Sequence, residues 1–287
     1  MNSHQNSPGT IRNNFVSDKL AFRRPLVLFL FLLLVEAMAG VSAQNIAGII
    51  TDYNGFWQSV ANAVNPVKPD NSHNLLAFSY NGSTYSTGVN DSLLRAHGIS
   101  FTGGKYKALP LYQVTGTVNS NTKIGLGAMY DGVDYGPGST APVNDLARYL
   151  NDGAQGLDLG TCVANLPPGD LLFPISSLTK QAIGDLVPDL LITQIADPST
   201  SSPDRYEFAD INGNRVGNAV NINLHNLPVL GNWMADFYEA SSHPMVLQGG
   251  FTHTQRAIRL WAADFSSFGI DSTNYNQVAY FRIRLNG

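Results

Sequence analysis

Cysteine is nearly absent from this 287-residue chain: Cys162 stands alone. That excludes an intrachain disulfide and any zinc site built on several thiolates. Charge is scarce as well, at 13% of residues against about 25% in an ordinary soluble domain. Glutamate is rarer still. Beyond Glu36 only Glu207 and Glu239 occur, and the Glu-, Lys- and Ala-rich windows that make helices are missing with it. Asn, Gly, Ser, Thr and aromatic residues take their place, which is the composition of strands and turns.

Long apolar runs are also lacking, with one exception. Leu26 to Val35 (LVLFLFLLLV) follows Lys19, Arg23 and Arg24 and precedes Val41-Ser42-Ala43. It is too short for a bilayer, which needs about 20 residues. A basic segment, an apolar core and a small-x-small site describe a secretory signal peptide over residues 1–43. The expectation is therefore a secreted or cell-surface protein, with residues 44–287 as one domain and no membrane span in the mature chain. Without the four basic and two acidic residues of positions 1–43, 13 basic and 19 acidic groups remain, a net charge of −6. Without basic clusters, such a surface argues against nucleic acid, whose binding rests on Lys and Arg contacts to phosphate.

Short β-prone runs recur between turn signals. NLLAFSY (Asn74 to Tyr80) leads through Asn81-Gly82 into STYST, the strongest short hairpin signal available. Further runs are Lys107 to Gly116, Asn121 to Asp131, Asp189 to Ala196, Arg205 to Asp210, Arg215 to Leu224, Arg256 to Trp261 and Gln277 to Leu285. In VAYFRIRL, Val278, Tyr280, Arg282 and Arg284 face one way while Ala279, Phe281, Ile283 and Leu285 form an apolar face. Many short strands predict an all-β fold, an antiparallel, jelly-roll-like β-sandwich. Two short peripheral helices are expected: Asp91 to His97 stopped by Gly98, and Val143 to Asn151 capped by Asn144 or Asp145. The Asn286-Gly287 finish reads as the start of a turn, so the chain is expected to be a fragment of a longer protein.

Catalytic signatures are sparse. No G-x-S-x-G elbow and no H-E-x-x-H pair occurs. Glycoside hydrolysis needs two facing carboxylates, for which Asp131 with Asp134, or Asp204 with Glu207, are nominal candidates. Sugar binding needs less: aromatic faces for the rings and Asn, Asp and backbone groups for the hydroxyls. YDGVDYGPG packs such groups into nine residues, so Tyr130, Asp131, Asp134 and Tyr135, with Trp233, are the candidate ligand-binding residues.

YEFADINGNRVGN admits two readings. As a calcium loop, Asp210, Asn212 and Asn214 are oxygen ligands, but Gly213 precedes the third ligand and no Glu follows. As a hairpin, Asn212-Gly213 is a type I′ corner between strands. The hairpin reading comes first and calcium second; no other cofactor is expected.

NLLAFSYNGSTYSTGVND, GTCVANLPPGDLLFPI, GDLVPDLLITQIADPS, RLWAADFSSFGI and VAYFRIRLNG together resemble large secreted, adhesin-like surface proteins of Bacteroidetes-type bacteria, which often end in a type IX secretion sorting module. No such module is present here. The resemblance implies a surface role and carries no catalytic residues. The expected function is an extracellular binding module with polysaccharide or surface glycan as partner. The alternatives are a polysaccharide-degrading enzyme using an Asp/Glu pair and a purely structural adhesin domain.

Overall fold

A computed structural model describes residues 46–130, 133–151, 157, 159–176, 178–195 and 197–286. The leader expected over residues 1–43 lies outside the described residues. The described residues form one compact unit.

The strands are β1 (Ile46–Thr51), β2 (Trp57–Val60), β3 (Leu75–Tyr80), β4 (Ser83–Ser86), β5 (Gln113–Val114), β6 (Lys123–Leu126), β7 (Met129–Tyr130), β8 (Val133–Asp134) and β9 (Thr161–Ala164). They continue with β10 (Gly169–Pro174), β11 (Leu190–Ile195), β12 (Asp204–Ala209), β13 (Arg215–Ile222), β14 (Gly231–Glu239), β15 (Val246–Leu247), β16 (Thr254–Ala263) and β17 (Tyr280–Leu285). Every ladder between them is antiparallel. The fold is all-β and sandwich-like, as the composition predicts.

A four-stranded sheet runs β2-β1-β3-β4, a five-stranded sheet β13-β12-β17-β10-β5, and a third β11-β16-β14-β6-β9 with β15 attached to β14. The last half of the chain winds as a jelly roll does: β10 pairs with β17 in one sheet while β11 pairs with β16 in the other. The direct β12–β13 hairpin departs from that plan.

The third sheet carries core on both faces. Along β16, Ile258, Leu260 and Ala262 join Ile49, Trp57 and Phe78 of the four-stranded sheet in one buried cluster. Trp261 and Ala263 join Phe208, Phe281 and Phe173 of the five-stranded sheet in another. β11 divides likewise, with Leu191 and Ile195 on one side and Leu190 and Ile192 on the other. A strand buried on both faces loses the in/out alternation that a half-exposed strand shows, which is why LLITQI and RLWAAD read as nearly continuous apolar runs. Each fully buried large side chain here contributes roughly 1.5–3 kcal/mol.

The helices are short. α1 (Asp91–Ala96) is capped by the Asn90 side chain, which accepts from Leu93 N at 3.0 Å, and it buries Leu94 against Ile50 and Leu76. α2 (Leu146–Leu150) takes Asp145 as its cap, accepting from Arg148 N at 3.1 Å. Its buried residue is Tyr149, while Val143, which precedes it, is exposed. No helix of the described residues is long and apolar enough to cross a membrane.

Local turn chemistry separates the two Asn-Gly pairs. At Asn81-Gly82 both residues have positive φ (50° and 77°), as a type I′ hairpin between β3 and β4 requires. At Asn212-Gly213 only Gly213 does, at 82°. There the turn spans Asp210 to Gly213, closed by Gly213 N donating to Asp210 O at 3.0 Å, with the glycine as a left-handed residue after it. The predicted hairpin forms, one residue out of the predicted frame.

Candidate functional site

The outer face of the five-stranded sheet is where this chain assembles a partly exposed aromatic and charged surface. Its origin is the strict alternation of three strands. β17 sends Phe281 and Ile283 inward, β12 sends Tyr206 and Phe208 inward, and β10 sends Leu171 and Phe173 inward. The intervening residues must then point outward. Register sets them in rows across the sheet: Arg205 beside Arg284 beside Asp170, and Glu207 beside Arg282 beside Leu172 beside Gln113. The next row is Ala209, Tyr280 and Pro174.

Two elements distant in sequence supply the aromatic pair. Tyr112, held by its N–H donating to Leu172 O at 2.8 Å, lies beside β5 and stacks on Tyr280 of β17. The ring centroids are 5.8 Å apart and the planes 26° from parallel. Tyr112 is 67% exposed. An aromatic pair of this kind offers an apolar ring surface with polar tips.

Beside it lies a charge ladder centred on Glu207, which is fully buried although its strand position faces outward. Arg282 donates from Nε to Glu207 Oε1 at 2.7 Å and from Nη1 to Gly213 O at 3.0 Å, and its Nη2 also contacts Oε1. Arg205 Nη2 lies 2.8 Å from Oε2, a close ion pair without the alignment of a hydrogen bond. Arg284 Nε bridges Glu207 Oε1 at 3.2 Å and Asp170 Oδ1 at 3.4 Å. Three guanidiniums face two carboxylates. This patch is net positive on a chain whose formal charge is −4.

A second feature is a cleft of about 1370 Å³ bordered by the edge strand β11 and the 104–110 segment, with Leu171, Phe173 and Phe281 in its wall. Asp189 lines it, and burial pushes its carboxyl up to about 7; the N–H of Phe265, 2.9 Å from Oδ2, opposes the rise and the charges of Asp264 and Asp185 add to it. Tyr106 donates to Pro188 O, and burial pushes its phenol up. Asp264 accepts from Gly184 N at 2.9 Å and Ser266 N at 2.6 Å. These bonds tie the loop before β11 to the loop after β16.

The residues singled out from sequence fall in different places. Trp233 is fully enclosed in the core with Trp57, Leu230 and Phe237, so its ring has no surface to offer a ligand; this corrects the expectation. Its strand belongs to the doubly covered sheet. Asp131 and the side chain of Tyr130 lie outside the described residues. Asp134 is exposed in the β7–β8 hairpin, paired through its backbone with Met129. Tyr135 is half-buried against the cluster of Ile124, Leu126 and Tyr238. At the calcium motif, Asp210 Oδ1 accepts from Asn212 N at 2.9 Å and Asn214 N at 2.8 Å, and Oδ2 accepts from Asn214 Nδ2 at 3.1 Å. These bonds hold its carboxyl below the usual carboxylate range, the Asn214 amide first. The backbone N–H of Asn212 and both the backbone and the side-chain amide of Asn214 thus act as donors to Asp210, as the hairpin reading requires. Among the described residues no three His, Cys, Asp or Glu side chains gather as a metal cluster.

Comparison with protein-family models, with curated proteins and with solved structures finds no match to this chain. Tyr112 and the Arg ladder were missed in the sequence for a definable reason. The alternation in VAYFRIRL places Tyr280, Arg282 and Arg284 on one face, but which strands flank that face is set by pairing across the whole second half of the chain.

Proposed function

We propose that this protein is an extracellular or cell-surface carbohydrate-binding module, and that glycan chains lie on the outer face of the five-stranded sheet across Tyr112 and Tyr280. The observation that carries the reading is the stacked tyrosine pair on the outer sheet face, Tyr112 exposed and Tyr280 half-buried, next to a fixed ladder of guanidinium and carboxylate groups. Tyrosine rings pack on the apolar faces of sugar rings, while Gln113, Arg205, Arg284 and Asp170 are placed to bond hydroxyls. The adhesin-like phrases and the apolar leader support the surface location.

The test is retention of the purified protein on a panel of insoluble polysaccharides, with reducing ends assayed in the supernatant. Retention without release is expected, weakened at least about tenfold by Tyr112→Ala or Tyr280→Ala, a loss of ~1.4 kcal/mol. Retention that is undiminished in both variants would remove the platform as the site. No retention on any polymer would favour a structural adhesin domain. The degrading-enzyme alternative has one observation behind it, the carboxyl of Asp189 poised near neutrality in a large cleft. It predicts release of sugar ends that Asp189→Asn abolishes.

A further inference from the structure

Arg259 lies on β16, directly across from Gln194 of β11. Only 8% of it is exposed. Its Nε donates to Leu227 O at 3.3 Å, whereas its Nη1 is buried with no hydrogen-bond partner among the described residues. The one carboxylate whose charge is felt there is Asp197, and Asp197 is mostly exposed and paired with Arg256 at 3.6 Å. A guanidinium withdrawn from water without a counterion is unfavourable unless something else neutralises it. Buried unsatisfied polar atoms are rare in folded proteins and commonly mark the place of a bound water or ion.

The surroundings give access to such a group. Arg259 lines an open pocket of about 550 Å³ whose rim carries Asn62, His225 and Asn226 and whose wall includes Ile46 and Ala61. Leu227, which receives the Nε bond, closes one side, so the guanidinium is fixed in place. A fixed guanidinium is matched by a carboxylate or sulfate, which can take two parallel N–H bonds at once. The two amides and the imidazole on the rim suit hydroxyl groups on the same ligand.

We infer that the Arg259 pocket is a second binding site, one that takes the anionic group of a small hydroxylated acid such as a hexuronate. It stands apart from the tyrosine platform and does not depend on it.

The test is thermal unfolding of the full protein in galacturonate, in galactose and in sulfate, with chloride added to equal ionic strength throughout. A saturable rise in Tm is expected with galacturonate and not with galactose. A parallel rise in sulfate would identify the anionic group as what is held. Arg259→Met keeps the side-chain volume and should abolish the rise. If that variant does not fold, Asn226→Asp provides an independent arm. A carboxylate at the pocket rim should raise Tm in chloride alone and weaken galacturonate at least tenfold. No rise beyond chloride, a rise that galactose reproduces, or a rise that survives in the variants would each overturn the inference. Tyr112→Ala should leave the shift intact, so this site and the platform succeed or fail separately.

Discussion

Replacing Glu207 by Gln removes one charge from the centre of the ladder and leaves the shape almost unchanged. Glu207 is fully buried, and the side chain of Arg282, its nearest partner, is 9% exposed. Breaking a buried pair by removing one partner costs about 3–5 kcal/mol, because the other charge stays desolvated and unpaired. Arg205 and Arg284 have side chains 33% and 41% exposed, so water takes over their charge and each adds only ~0.5 kcal/mol. The glutamine oxygen still accepts from Arg282 Nε, which offsets part of the loss, while its amide would point donors at Arg205. The expected net destabilisation is about 3 kcal/mol, read as a lower urea midpoint with an unchanged m value. A double-mutant cycle with Arg282→Met should show coupling of about 2 kcal/mol between the pair. A loss below ~1 kcal/mol with no coupling would mean the ladder is solvent-screened, and the platform would then lack the rigid charged flank assigned to it.

Asp189→Asn should change how stability depends on pH. With its carboxyl raised to about 7, native Asp189 keeps a proton that the unfolded chain releases near pH 4. Stability is therefore lost as pH rises towards 7. His73 acts in the opposite sense, since burial lowers its pKa and stability is gained as pH rises towards 6.5. The variant isolates the first effect: its advantage over wild type should grow by about 1 kcal/mol between pH 5 and pH 8, allowing for screening of a partly solvated group. Parallel profiles would refute the assignment. Asp210→Ala should lower Tm by the same amount in calcium and in chelator, because the carboxylate organises the turn through Asn212 and Asn214. A larger loss in calcium than in chelator would favour the cation reading.

The features that follow from neighbours along the chain were open to sequence reasoning. The Asn81-Gly82 hairpin, the Asp145 cap, the stop of α1 near Gly98 and the inward face of β17 each rest on residues within a few positions of one another. Cys162 is buried as a free thiol, pushed up to about 12 by burial. Local pattern erred where its period was ambiguous. Lys107 to Gly116 suggests a long strand, yet only Gln113–Val114 forms one, while β1, β2, β8, β9, β10 and β14 were not anticipated.

What the sequence by itself determined is the class of fold, through a shortage of helix formers and an abundance of turns between β-prone runs. The tertiary structure alone decided where the faces lie. Trp233 is enclosed because the four-stranded sheet covers one side of its sheet, and nothing near Trp233 in the chain announces that covering layer. Tyr112 meets Tyr280 because β10 pairs with β5 on one side and β17 on the other. Arg259 meets Leu227 O because the segment between β13 and β14 packs against β16, 32 residues further along the chain. A residue's alternation tells which neighbours share its side of the strand. Only the long-range pairing and stacking of sheets decides whether that side meets water, core or ligand.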